Sequence, residues 1–115
     1  MLKRIFAGLL FILLFSNISF AERENATVTT YKTSQLIKTG QGVIYSVSFV
    51  ATANGGNYVL YDATSATAGW TDIKAEGSEA TANNSDFQSH KSKPIEFNTG
   101  LYLLITNGYV VLEYK

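Results

Sequence analysis

Between residues 43 and 51 the chain alternates without a break: Val43, Tyr45, Val47, Phe49 and Ala51 fall on one side, Ile44, Ser46, Ser48 and Val50 on the other. A period of two over nine residues predicts a β-strand with one face against a core. The stretch Asn54-Gly55-Gly56-Asn57 that follows reads as a flexible reversal into a second β-prone run at residues 58–62, and the two runs together predict a hairpin. Upstream, residues 27–32 and 34–38 are short runs rich in Thr, Val, Ile and Tyr, and Gly40 and Gly42 mark the turn that follows them.

The sharpest signal lies near the C-terminus. Residues 101–106 and 109–115 flank Asn107-Gly108, a pair that tolerates positive φ and so suits the type I′ turn of a two-residue hairpin. Such a turn would set Thr106 opposite Tyr109, Ile105 opposite Val110, Leu104 opposite Val111 and Leu103 opposite Leu112. One face of this hairpin would carry Leu101, Leu103, Ile105, Val110, Leu112 and Tyr114, a core face. The other would carry Tyr102, Leu104, Thr106, Tyr109, Val111 and Glu113, more apolar than a solvated surface needs, which marks an interaction surface.

Residues 63–87 shift to Ala, Thr, Ser, Gly and Asn, with one short edge strand expected at residues 70–74 and exposed loops on either side. A short strand at residues 95–97 follows Pro94. No stretch after residue 21 sustains a helical period. Seven to eight short strands at this spacing predict an all-β fold, an antiparallel β-sandwich or jelly roll forming a single domain over residues 22–115.

The first 21 residues follow a different pattern. Lys3 and Arg4 precede an apolar run at residues 5–15, and Ser19-Phe20-Ala21 offers small residues where a signal peptidase reads. This is the layout of a secretory signal peptide at residues 1–21, and the apolar run is short for a membrane-spanning helix. With no cysteine after it, a lipid-anchored lipoprotein is excluded. Export to the periplasm, the outside or the surface is therefore expected, with no membrane span left after cleavage. Removal of the leader leaves seven basic against nine acidic residues, a charge of −2 that gives no surface for nucleic acid. An exported domain of this size usually adds disulfides to a thin core, and this one has no cysteine. Association with further copies of itself would supply buried surface instead.

Candidate chemistry is sparse. His90 is the only histidine, and Ser85-Asp86-Phe87-Gln88-Ser89-His90 matches no nucleophile setting, so an exposed loop histidine is expected rather than a triad with Asp86. One histidine and no cysteine leave no zinc set. Asp62, Asp72, Glu76, Glu79 and Asp86 would have to converge to hold calcium, yet they lack the spacing of a calcium loop. No phosphate-cradling glycine loop opens a helix. The sequence predicts no catalytic residue, no metal and no cofactor. Aromatic side chains remain: Trp70, Tyr58 and Tyr61, with Tyr109, would suit a stacking platform for a surface glycan, although tyrosine is also a common strand residue. Asn25-Ala26-Thr27 and Asn83-Asn84-Ser85 fit the glycosylation acceptor pattern.

Gly42-Val43-Ile44-Tyr45, Tyr58-Val59-Leu60-Tyr61-Asp62-Ala63, the Ser/Thr/Gly loop ending at Gly69 and Phe97-Asn98-Thr99-Gly100-Leu101-Tyr102 follow one another in an order that resembles small virion-associated β-sandwich proteins of tailed phages, of the head-decoration or fibre type. The resemblance covers residues 42–114 and implies a non-enzymatic building or surface module, often a trimer. The leader departs from it, because a virion assembled in the cytoplasm needs no export signal. The expected function is an exported structural or surface-interaction module that self-associates through Tyr102, Leu104, Tyr109 and Val111. The alternative is a carbohydrate-binding module using Trp70, Tyr58 and Tyr61.

Overall fold

A computed structural model describes residues 25–65 and 69–115, the side chain of Trp70 excepted. The expected leader at residues 1–21 lies outside the described residues. Nine strands form two antiparallel sheets: β1 (Thr27–Tyr31), β2 (Gln35–Thr39), β3 (Gly42–Ala51), β4 (Gly56–Tyr61), β5 (Ile73–Glu79), β6 (Ser85–Ser89), β7 (Ile95–Phe97), β8 (Gly100–Thr106) and β9 (Gly108–Tyr114). One sheet runs β1-β9-β3-β6, with β7 continuing beside β3 where β6 stops; the other runs β2-β8-β4-β5. The chain is an all-β sandwich. Leaving β7 aside, the sheets match strand for strand as β1 over β2, β9 over β8, β3 over β4 and β6 over β5, which is the order of a jelly roll.

That order corrects two expected hairpins. β3 and β4 belong to different sheets, as do β8 and β9, so neither pair is joined by a hydrogen-bonded two-strand turn. The four corners at residues 31–35, 51–56, 79–85 and 106–108 each carry the chain from one sheet to the other. They lie against one another: the Thr52 N–H donates to the Asn107 carbonyl at 2.8 Å, Gly55 N–H to Ala80 at 3.1 Å and Asn83 N–H to Ala51 at 2.8 Å. The Asn54 side-chain oxygen accepts from Ala82 N–H at 2.9 Å, and the Ser34 hydroxyl oxygen from Ile105 N–H at 2.9 Å. A type I′ turn needs positive φ at both central residues. Asn107 has φ 51°, but Gly108 is not among the positive-φ glycines. Gly108 is required for space: a Cβ there would sit 2.6 Å from the Val50 carbonyl oxygen and 2.7 Å from Phe49 Cζ.

The residues expected on the core face of the C-terminal strands are inside, by a different route. Leu101 and Leu103 from β8 meet Val110 and Leu112 from β9 within one buried cluster, which Val47, Phe49, Ala51, Tyr58, Leu60 and Phe97 complete. In β3 the alternation breaks at Tyr45, where a bulge against β9 inserts one extra residue. Ile44 therefore joins the core cluster, whereas Tyr45 and Val43 do not, contrary to the alternation read through the whole strand. At the far edge the phenols of Tyr31 and Tyr114 share a hydrogen bond at 2.9 Å; burial first, and that bond second, push the Tyr31 hydroxyl up to about 12.

The segment expected to be mostly loop holds two edge strands and a 3₁₀ turn, Trp70–Asp72. The expected strand at residues 70–74 begins only at Ile73. β5 escapes notice because its inward positions are Ala75 and Gly77. β6 reverses the usual polarity: Asp86 and Gln88 stand on the register positions of Phe49 and Val47, while Phe87 remains 64% exposed. Inward polar residues on an edge strand discourage pairing with another sheet.

Tyr58 is 1% exposed, and its hydroxyl has no hydrogen-bond partner. Burial, then the carboxylates of Asp86 and Glu76, raise its pKa well above the ordinary tyrosine value and hold it neutral. A buried hydroxyl left unpaired costs about 1–3 kcal/mol. Tyr58→Phe is accordingly expected to stabilise the domain by about 1 kcal/mol and to raise its Tm by roughly 4–8 °C in a calorimetric scan. An unchanged or lower Tm would mean that the hydroxyl is satisfied.

Candidate functional site

The outer face of the β2-β8-β4-β5 sheet is built from alternate residues of four strands. Leu101, Leu103, Tyr58 and Leu60 point inward, which sends Tyr102, Leu104, Val59 and Tyr61 outward. The register then aligns them. Leu36 pairs with Tyr102, Tyr102 with Tyr61 and Tyr61 with Ile73, giving one row across all four strands. Beside it, Leu104 pairs with Val59 and Val59 with exposed Glu76. The next row, Thr106, Asn57 and Ser78, is polar.

A solvated sheet face usually alternates apolar-in with polar-out. Here six apolar or aromatic residues, Leu36, Tyr102, Tyr61, Ile73, Leu104 and Val59, lie contiguously outward, and Leu36 is 42% exposed. Glu76 is the one charge in these two rows, and it sits at the rim strand.

Of the expected self-association residues, Tyr102 and Leu104 lie in this patch and Tyr109 and Val111 do not. The latter pair is on the outer face of the opposite sheet, where Tyr109 pairs with Val50 and Val111 with Ser48 and Thr30. That face is interrupted by Ser46, Ser48, Ser85 and Ser89 and by Glu113, which accepts from the Ser46 hydroxyl at 3.2 Å and pairs with Lys91 at 3.7 Å. The single face expected from a hairpin is therefore two faces on opposite sides of the molecule. The reason is the sheet change at Asn107-Gly108.

The expected glycan platform also divides. Tyr58 is a core residue and unavailable to a ligand, whereas Tyr61 stands in the outward row beside Tyr102. Trp70 begins the 3₁₀ turn that leads into Ile73, and its side chain lies outside the described residues. Leu36, Val59 and Ile73 were not among the expected site residues. Their signal was present in the alternation of each strand, but it becomes a row only once the register is known.

The loop that frames this face is tied down by Asp62. Its carboxylate accepts from the backbone N–H of Asn98 at 3.0 Å, Thr99 at 2.8 Å and Gly100 at 3.3 Å, and its own N–H donates to the Asp72 carbonyl at 2.7 Å. Desolvation opposes the charge, but those three N–H donors and the Lys74 cation prevail and hold the carboxyl below its ordinary 3.8. A lowered folded-state pKa contributes stability that is fully present above the unfolded value and is lost as pH falls through the folded one. Wild type is thus expected to lose stability below about pH 4, and Asp62→Asn to lose less over the same window while starting lower at pH 7. Urea denaturation at pH 3 and pH 7 checks this; parallel losses in both proteins would remove Asp62 from the account.

The other acids expected as possible calcium ligands are dispersed, and among the described residues no group of three or more His, Cys, Asp or Glu is placed to hold a metal ion. His90 stands 3.5 Å from the Gln88 amide oxygen, and Gln88 Nε2 lies 3.5 Å from Asp86, so the amide separates the two groups of the improbable triad. No family model, curated protein or solved structure matches this chain.

Proposed function

We propose that this protein is an exported, non-enzymatic structural or surface-interaction module that self-associates through the outer face of its β2-β8-β4-β5 sheet. The observation that carries the reading is the uncharged row Leu36–Tyr102–Tyr61–Ile73 with Leu104 and Val59 beside it. Contiguous apolar patches on small domains mark association sites. A second copy fits this one because the patch offers no charge at its centre for a charged partner to read, and because a short chain with no cysteine gains the buried area its own core lacks. The N-terminal pattern of basic residues, apolar run and small residues supports export. The resemblance to phage decoration and fibre proteins supports a structural role and a trimer as the form of the assembly.

Methyl resonances test the surface directly. On concentration from about 10 µM to about 1 mM, a range that spans interfaces of weak to moderate affinity, the methyl signals of Leu36, Val59, Ile73 and Leu104 are expected to shift or broaden, and those of Val28, Val50 and Val111 to stay fixed. Shifts confined to the second group, or none at all, would contradict the proposal.

The second reading, a carbohydrate-binding module, is favoured by one observation: Tyr61 and Tyr102 are paired neighbours on the same outward row, at the end where the Trp70 turn enters β5. Binding on a glycan array that is lost in Tyr61→Ala and Trp70→Ala, with the fold intact, would support it. A blank array would leave self-association alone.

A further inference from the structure

At the end of the sandwich opposite the four corners, a cleft of about 420 Å³ opens between the sheets' margins, within the roughly 300–1,000 Å³ typical of small-ligand sites. Lys38, Gln41, Gly42, Val43, Tyr45, Glu96, Phe97, Asn98 and Lys115 line it, and the argument turns on six of them. Lys115, Val43 and Glu96 stand side by side: the Val43 N–H donates to the Lys115 carbonyl and the Lys115 N–H to the Val43 carbonyl, each at 2.9 Å, while Val43 is the register partner of Glu96 in β7. Two strand spacings separate Lys115 from Glu96, about 10 Å between backbones. Consistent with that separation, neither residue is ion-paired among the described residues, and nor is Lys38.

The bulge at Tyr45 is what creates the floor. It takes Val43 and Tyr45 out of the core register and leaves both lining the cleft, so opposite charges flank an apolar strip. Gly42 permits the close approach of Phe97 and Lys115, since a Cβ there would collide with the Phe97 ring and the Lys115 carbonyl. The wall at Asn98 is held in place by the Asp62 carboxylate, so the site is ordered before any ligand arrives.

We infer that this cleft binds an acidic sugar, a uronic- or sialic-type ring. Two lysines against one glutamate select a single negative charge, and Glu96 repels the doubly charged phosphate that two lysines alone would welcome. Glu96 and the amides of Gln41 and Asn98 accept and donate to ring hydroxyls, and Val43 with Tyr45 faces the ring's C–H side. The inference is independent of the self-association reading, because the cleft shares no residue with the Leu36–Ile73 row.

The test is an amide NMR titration of the exported chain with sodium glucuronate, glucose, sodium acetate and inorganic phosphate. Glucuronate is expected to give saturable shifts at Gly42, Val43, Tyr45 and Asn98, with affinity at least about tenfold above that for each of the other three. Lys38→Gln and Glu96→Gln are each expected to weaken it about tenfold while leaving the remaining spectrum in place. Glucose binding as well as glucuronate, acetate or phosphate doing so, shifts centred on other residues, or full affinity in both variants would each overturn the inference. So would the absence of any saturable shift.

Discussion

Gly108→Ala is expected to cost about 3 kcal/mol or more, a large part of the roughly 5–10 kcal/mol that holds a domain of this size together. The added methyl would fall 2.6 Å from the Val50 carbonyl oxygen and 2.7 Å from Phe49 Cζ, with Phe49 Cε2 closer still. Phe49 is fully buried and its ring centroid lies 5.4 Å from that of Tyr58, so it has no free space to turn into. The Val50 oxygen is backbone in a strand paired on both sides and cannot yield without moving β3. If residues 106–109 formed an ordinary two-residue hairpin, the same substitution would cost only about 1 kcal/mol, the penalty for positive φ. Urea denaturation of Gly108→Ala beside Asn107→Gly separates the two cases. Asn107 already adopts φ 51°, a conformation glycine enters freely, so its replacement is expected to be nearly neutral.

Leu104→Lys is expected to turn the assembly into monomers, weakening association by at least about 100-fold, or roughly 2.7 kcal/mol. Leu104 lies between Val59 and the edge of the patch, and a lysine ammonium there would have to be desolvated against apolar neighbours whenever two copies meet. The unassembled domain is expected to tolerate it, because the side chain points away from the core. Val111→Lys supplies the control. Val111 is equally half-buried in its strand but on the opposite sheet, among Ser48 and Thr30, and its replacement is expected to leave association unchanged. Light scattering of both variants, with circular dichroism to check the fold, reads the difference; equal losses would move the interface or remove it.

Much of this molecule is legible from its residues. The inward alternation of Val47, Phe49 and Ala51 and of Leu101, Leu103, Val110 and Leu112 is local, and all seven are buried. What residues cannot state locally is which strand lies next to which. Asn107-Gly108 has the composition of a tight hairpin turn, yet each flanking strand finds better neighbours elsewhere: β8 pairs with β2 and β4, β9 with β1 and β3. That one error of connection split a face of four residues into two unrelated surfaces. β6 was missed for another reason, since Asp86 and Gln88 face in and Phe87 faces out, the reverse of what periodicity is read for. The candidate site was half visible, in Tyr102, Leu104 and Tyr61. Its other half, Leu36, Val59 and Ile73, joins only through register.

The account stands most directly on the molar mass of the exported chain in solution, measured by light scattering after size exclusion. Association through the β2-β8-β4-β5 face predicts a mass that is a multiple of the single chain and falls on dilution or in Leu104→Lys. A single-chain mass that persists at high micromolar concentration would contradict it.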